Sequence, residues 1–403
     1  MRSDPPPADG APSPLADEHE APADVHEAPA EPPPPGPVLP PAVPEIVEVE
    51  RLDWDAVLCA VDPGAVRARI RATVECMEGL LDRDGGPGLL FDADRDGAAD
   101  RAIRVRALEI ETPLWFVGDL HGDLLALEAA LACIEAARPD ATPAPRIVFL
   151  GDLFDDAGYG LEVLLRVFEL VAVSPERVCV VAGNHDEALR YDGARFSATV
   201  SPSDFSEFLD AHLAHEWIVR AGKLAVRLFA SAPRALFFPD GLLVAHGGFP
   251  LLDLHPALAE GGDWNDPHCL SDFVWTRAHP KARRKLPNRA SRGSQFGHQD
   301  FADFCALAAT LGRPVTHMVR GHDHVEERWA VYPAYAAHPL LTTVALSRRL
   351  PRESFGPYVR VPTIARWVPG AVPQVHRLHV PANAVRAVFP EDAAGDDAER
   401  AGE

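Results

Sequence analysis

Leu114-Trp115-Phe116-Val117-Gly118-Asp119-Leu120-His121-Gly122 carries four apolar residues straight into a glycine, a carboxylate and an imidazole. An apolar run this short, bounded by glycine, suits a strand covered on both faces. The pattern recurs along the chain. Ile147-Val148-Phe149-Leu150 leads into Gly151-Asp152, and Val178-Cys179-Val180-Val181 leads through Ala182 into Gly183-Asn184-His185-Asp186. Leu242-Leu243-Val244-Ala245 leads into His246-Gly247-Gly248, and Thr316-His317-Met318-Val319 into Arg320-Gly321-His322.

Helical apolar spacing fills the gaps between the first three runs. Leu124, Leu127, Leu131 and Ile134 follow Asp123, while Val163, Leu164, Val167 and Leu170 follow Gly160. Asp119 to Asp152 is 33 residues and Asp152 to Asn184 is 32, the size of a β-α-β unit. Parallel strands in such units bring their carboxyl ends to one edge, where open α/β sheets bind ligands. The polar clusters are therefore expected to converge.

Together they offer Asp119, His121, Asp152, Asn184, His246 and His322. Carboxylate, imidazole and amide donors suit Mn²⁺, Fe²⁺ or Zn²⁺. Six donors are too many for one tetrahedral site, and a shared carboxylate would bridge two ions. Taken one at a time, each has a bland reading: a core histidine satisfied by backbone, or a turn-forming Asp or Asn. Their joint order is what favours metal.

The order G-D-x-H-G, G-D-x-x-D, G-N-H-D, H-G-G and R-G-H resembles the calcineurin-like metallophosphoesterase superfamily, and within it the PPP-type serine/threonine protein phosphatases. The resemblance implies an α/β fold: a β-sandwich of two mixed sheets flanked by helices and built from β-α-β units. It implies two divalent ions, Mn²⁺ foremost with Fe or Zn as alternatives. Asp119, His121 and Asp152 would hold one, and Asp152, Asn184, His246 and His322 the other. It also implies hydrolysis of a phosphoester by a metal-activated water, with His185 as proton donor and Asp155 orienting it. Arg292, in Arg292-Gly293-Ser294, is the matching phosphate contact, with Asn184 beside it; Arg320, next to His322, is either a further phosphate contact or a structural pair behind the site. One position departs from the pattern. Where the family's second motif continues with Arg, this chain has Asp156, which exchanges a phosphate clamp for a like charge. The seven Lys and Arg between Arg277 and Arg292 are candidate replacements, or a solvated loop.

Three functions fit: a protein phosphatase acting on a phosphorylated protein, a small-molecule phosphoesterase such as a dinucleoside-tetraphosphate hydrolase (a family that shares G-N-H-D), and a catalytically weak phosphate-binding module. Metal-dependent turnover separates them.

The rest of the chain frames this core. Residues 1–45 are rich in Pro, Ala and acid and read as a disordered arm whose polyproline stretches either dock a partner domain or serve as spacer. The catalytic domain is expected over 46–385, followed by an acidic tail over 386–403. Formal net charge is −22, and residues 1–50 carry eleven Asp/Glu against one Arg. An acidic chain disfavours nucleic acid as ligand. No apolar segment has bilayer length and no apolar leader opens the chain, so a cytoplasmic protein off the membrane is expected. The six scattered cysteines read as buried free thiols. Val66, Ile70, Val74, Met77, Leu80 and Leu81 predict an amphipathic helix after Asp62-Pro63, and Asp92 to Asp100 resembles a short calcium loop but reads better as an acidic turn.

Overall fold

The five apolar runs are strands, but they divide between two sheets. A computed structural model describes residues 43–107, 112–138, 144–156, 158–251, 258, 260–289 and 292–392. The strands of the two large sheets, in chain order, are β1 (Glu45–Val49), β2 (Ala102–Arg104), β3 (Leu114–Val117), β4 (Arg146–Phe149), β5 (Val178–Val180), β6 (Ala235–Phe237), β7 (Leu242–Ala245), β8 (His317–Arg320), β9 (Trp329–Val331), β10 (Leu340–Thr343), β11 (Thr363–Trp367) and β12 (Gln374–Leu378). The first sheet has the order β1-β12-β11-β3-β4-β5 and the second β9-β10-β8-β7-β6-β2.

Both sheets are mixed. β3, β4 and β5 are parallel neighbours, as the β-α-β spacing requires, while β11 runs antiparallel to β3. In the second sheet β7, β8 and β10 are parallel and β6 is antiparallel to β7. Three of the motif strands (β3, β4, β5) therefore lie in one sheet and two (β7, β8) in the other. Convergence spans a sandwich, not the edge of a single open sheet.

Side-chain alternation explains the unbroken apolar runs. Leu114, Phe116, Val148, Leu150, Cys179 and Val181 pack between the sheets against Leu236, Leu242, Val244, Val319 and Trp367. Their alternates Trp115, Val117, Ile147, Phe149, Val178 and Val180 face the opposite way into a helical layer. Leu243, Ala245 and Met318 do the same on the far side, where they meet Phe249, Phe301 and Phe304. With both faces covered, no polar alternation survives in the strands.

The expected helices form. Asp123 caps Leu124–Ala136 by accepting from Ala126 N at 2.8 Å, and Gly160–Val173 covers the β4–β5 crossover. The segment after Asp62 splits into Pro63–Ala68 and Ile70–Leu81, broken at Arg69, yet all six expected apolar residues are buried.

Other expectations need adjustment. Glu45, assigned to the arm, begins β1, which pairs in parallel with β12. At the other end Ala382–Val388 is a helix, and Phe389 packs into the core beyond the expected boundary at 385. The arm over 1–42 and the tail from 393 lie outside the described residues. Four cysteines are buried, but Cys59 and Cys76 are exposed on helices. The Asp92–Asp100 segment is a turn knitted by its own carboxylates. Asp92 pairs with Arg95 at 3.0 Å and Asp96 with Arg106 at 2.5 Å, and Asp94 accepts from Arg106 N.

Gly151 joins fold to site. Its φ is +99°, and a Cβ there would lie 2.2 Å from Gly183 N. The β4 and β5 motif loops can approach this closely only if neither carries a side chain at the contact. Gly151→Ala is expected to cost on the order of 3 kcal/mol, from the left-handed φ plus a backbone clash. Denaturant unfolding checks the stability loss. Reduced metal retention by the folded fraction checks that Asp152 and Asn184 have been pushed apart.

Candidate metal centre

Each expected donor sits in the first residues after a strand, and the backbone there is unusual. Asp119, His121, Asp152, Asp155, Asp156 and His322 all have positive φ, between 34° and 75°. Non-glycine residues adopt this region at a cost, and such strain concentrates at functional sites. Only three other non-glycine residues with positive φ occur among the described residues.

Backbone amides hold the loops together. Leu120 N and His121 N both donate to Asp152 O at 2.9 Å, and His185 N donates to Asp152 Oδ1 at 2.9 Å. Asp186 accepts from the amides of Asp152 (2.7 Å), Leu153 (3.2 Å) and Gly183 (2.9 Å). Across the sandwich, His322 N donates to Asp119 Oδ1 and Oδ2 at 3.1 and 2.9 Å. That contact locks the end of β8 onto the end of β3.

The six expected ligands are all buried. His246 Nδ1 lies 2.9 Å from Leu150 O and is assigned as the donor, which turns its Nε2 toward Asn184 Oδ1 (3.1 Å), His322 Nδ1 (3.1 Å) and Asp152 Oδ2 (3.4 Å). On the other side of Asp152, the same Oδ2 lies 3.5 Å from His121 Nε2. Asp152 thus stands between two donor groups, as a bridging carboxylate would. The His and Asp groups with donor atoms within 4.8 Å of one another, among the described residues, all lie here.

Electrostatics fit a cation. Burial opposes charge on His246, but Asp152 and, behind it, Asp119 outweigh that and raise its pKa to about 9. Burial, with Arg277 and His246 nearby, drives His322 well below its ordinary value; burial and Arg352 do the same to His121. Two neutral imidazoles and an ionised Asp152 are the protonation states that metal ligation needs. The residues present therefore fit a divalent centre, with Asp119, His121 and Asp152 on one side and Asp152, Asn184, His246 and His322 on the other.

His185 Nδ1 donates to Asp155 Oδ2 at 2.7 Å, and Asp155 Oδ1 is fixed by Phe205 N at 2.9 Å. Burial disfavours the charged ring, but Asp152 and Asp155 prevail and raise its pKa.

The cationic residues are placed differently from expectation. Arg320 is fully buried: its guanidinium donates to Gly247 O, to Asp323 at 2.5 Å, to Thr342 Oγ1 at 3.3 Å and to Thr276 O at 3.4 Å. These contacts brace the β7 and β8 turns, as the structural-pair reading of Arg320 expects. Arg292 is exposed, 3.7 Å from Glu187 and over the Trp275 ring, and these contacts lie outside the imidazole cluster. Much of the basic run is internally neutralised: Arg277 by Asp323, and Arg283 by Asp300 and Asp303.

Three residues join the site unexpectedly. His324 has Nε2 3.3 Å from Asp119 Oδ2. Asp156 places Oδ2 3.3 Å from His121 Nδ1. Arg352 reaches in from a distant loop to both His121 and His185. His324 has a sequence signal, two residues after His322 on an extended loop; Arg352 has none.

Comparison with known proteins agrees with this geometry. The profile described as calcineurin-like phosphoesterase matches residues 112–326, more than half of the chain. The chain belongs to this family. The chain is 24% identical over 204 residues to the serine/threonine-protein phosphatase 6 catalytic subunit of Drosophila melanogaster, covering 50% of this chain and 61% of that protein. Its counterpart in Caenorhabditis elegans is 21% identical over 232 residues, covering 56% and 63%. The chain thus spans under two thirds of the length of these relatives. A protein serine/threonine phosphatase structure from Saccharomyces cerevisiae superposes with a TM-score of 0.51 at 14% identity, covering 80% of this chain and 91% of that one. That likeness shows the shared sandwich fold.

Below pH 9 His246 carries a proton that a bound metal must displace, so metal uptake by the protein is expected to release protons and to tighten as pH rises toward 9. Calorimetric metal titration at two pH values, in buffers of different ionisation enthalpy, measures both. Binding without proton release would place the metal away from His246.

Proposed function

We propose that this phosphoesterase is a serine/threonine protein phosphatase-like enzyme that hydrolyses phosphomonoesters with two divalent ions, Mn²⁺ foremost. The observation that carries the reading is the buried His185–Asp155 pair, held at 2.7 Å beside the metal-capable cluster. An alkoxide leaves poorly unless protonated, and an imidazolium restrained by a carboxylate is suited to that transfer. When bound, the ions would polarise the phosphoryl oxygens and activate water for in-line attack.

The chain's own residues supply the rest. Asp155 takes the Nδ1–H of His185, so Nε2 carries the proton that goes to the leaving oxygen. Asp152, 2.9 Å from the His185 amide, ties the proton donor to the bridging carboxylate. Protein substrates are favoured by the resemblance to phosphatase 6 catalytic subunits. The Asp that ends G-N-H-D gives the small-molecule alternative little support, because Asp186 turns its carboxylate to three backbone amides.

With Mn²⁺, the purified protein is expected to release phosphate from phosphoserine and phosphothreonine peptides faster than from dinucleoside polyphosphates. His185→Asn should slow alkyl phosphates by about 10²- to 10⁴-fold while metal content stays unchanged. p-Nitrophenyl phosphate, whose leaving group needs no proton, should lose less. Absence of turnover on every phosphoester with every divalent metal would remove the enzymatic reading.

A further inference from the structure

Asp156 stands where the resembling motif carries a phosphate-gripping arginine, and it is not left as an uncompensated negative charge. Arg352 Nη2 lies 2.8 Å from Asp156 Oδ2 and 3.0 Å from His121 Nε2, while Nη1 lies 3.3 Å from His185 Nε2. One guanidinium thus touches the odd aspartate, an expected metal ligand and the expected proton donor. Its side chain keeps 34% of its exposure, whereas Asp156, His121 and His185 are buried, so it forms part of the mouth of the site.

The loop that carries it is anchored. Glu353 accepts from Arg328 at 2.5 and 2.9 Å, from Leu350 N at 2.9 Å and from His324 at 3.0 Å. Arg328 in turn is fully buried and donates to Arg348 O at 2.5 Å. The residue next to so firmly held a carboxylate has a fixed root, and its fork lies against Asp156 at the mouth of the site.

We propose that Arg352, tethered by Asp156, grips the phosphoryl group of the substrate in place of the arginine missing from the second motif. His121 Nε2 cannot accept from Arg352 and bind a metal at the same time. With that lone pair engaged, the guanidinium N–H groups need another acceptor. Phosphoryl oxygens entering the mouth match the fork in geometry and charge. Asp156 is then the tether of the clamp and not a flaw in it: charge lost at one position is supplied from a later loop and held in place by the substituted residue. This assignment rests on the phosphoesterase reading of the site.

The test uses the full chain loaded with Mn²⁺ and two readouts, calorimetric affinity for inorganic phosphate and KM against kcat on p-nitrophenyl phosphate. Arg352→Ala is expected to weaken phosphate binding roughly 10- to 100-fold, the range for loss of a charged hydrogen-bonded contact, and to raise KM, with metal content unchanged. Arg352→Lys, which keeps the charge without the fork, should fall between the two. Regained affinity in the double variant R352A/D156R, which moves the arginine to the motif position, would support the exchange directly. Phosphate affinity in R352A equal to wild type, or loss of metal from R352A, overturns the assignment, as does a wild-type protein that binds no phosphate. A wild type that binds phosphate through Arg352 yet hydrolyses nothing leaves the clamp standing and removes the enzymatic reading instead.

Discussion

Carboxylate and imidazole lone pairs cannot be packed at hydrogen-bond distances inside a protein without positive charge among them. Asp119, Asp152, Asn184, His246 and His322 are packed in that way, buried at the junction of two sheets. Their mutual influence shows in the protonation states, with His246 pushed up to about 9 by Asp152 and Asp119, and His322 driven down by burial and by Arg277. Much else in the architecture follows from keeping this set together. The left-handed residues at 119, 121, 152 and 322 aim donors inward, and the amides of Leu120, His121, His185 and His322 are spent on holding carboxyl and carbonyl oxygens in place.

The sandwich makes that concentration affordable in conformational terms. Each motif is only a few residues long and hangs from a strand fixed on both faces by apolar packing, so little entropy remains to be lost when donors converge. Dividing the motifs between sheets also separates tasks. β3, β4 and β5 bring the acid-rich side with Asp119, Asp152 and the His185–Asp155 pair, and β7 and β8 bring His246 and His322. The His322–Asp119 amide contact joins the two halves, so the centre is complete only when both sheets pack.

What could be read in the sequence divides along the same line. The strands of the motifs were legible because burial on both faces leaves runs without polar interruption, and the donors were legible because they sit in those runs' first polar residues. The resemblance implied a sandwich of two mixed sheets, as found, but which runs share a sheet was not legible from the residues, since Leu242–Ala245 and Val178–Val180 are alike in composition while their pairing partners lie far away in the chain. Arg320 allowed two readings because a basic residue beside a ligand histidine carries no mark of direction; its side chain turns inward to Gly247, Thr276 and Asp323. His324 and Arg352 were missed because their relevance comes from loops whose course depends on a buried ion pair, Arg328–Glu353, formed from residues that look like surface charges in one dimension.

Asp156 illustrates the same limit from the other side. Read along the chain it replaces a cation with an anion and suggests a damaged site. Read in space it is a counter-charge for Arg352: burial pushes its pKa up, and that arginine opposes the rise without cancelling it. Substitution by a residue of opposite sign at a buried position is tolerable only where a second change restores local charge, because an unpaired buried charge costs several kcal/mol, on the order of 3–5. The metal-binding loops leave no such freedom, since each donor is fixed by backbone on both sides. The phosphate-facing groups hang on longer side chains from different loops, and there a clamp can change its point of attachment while the chemistry beneath it stays the same.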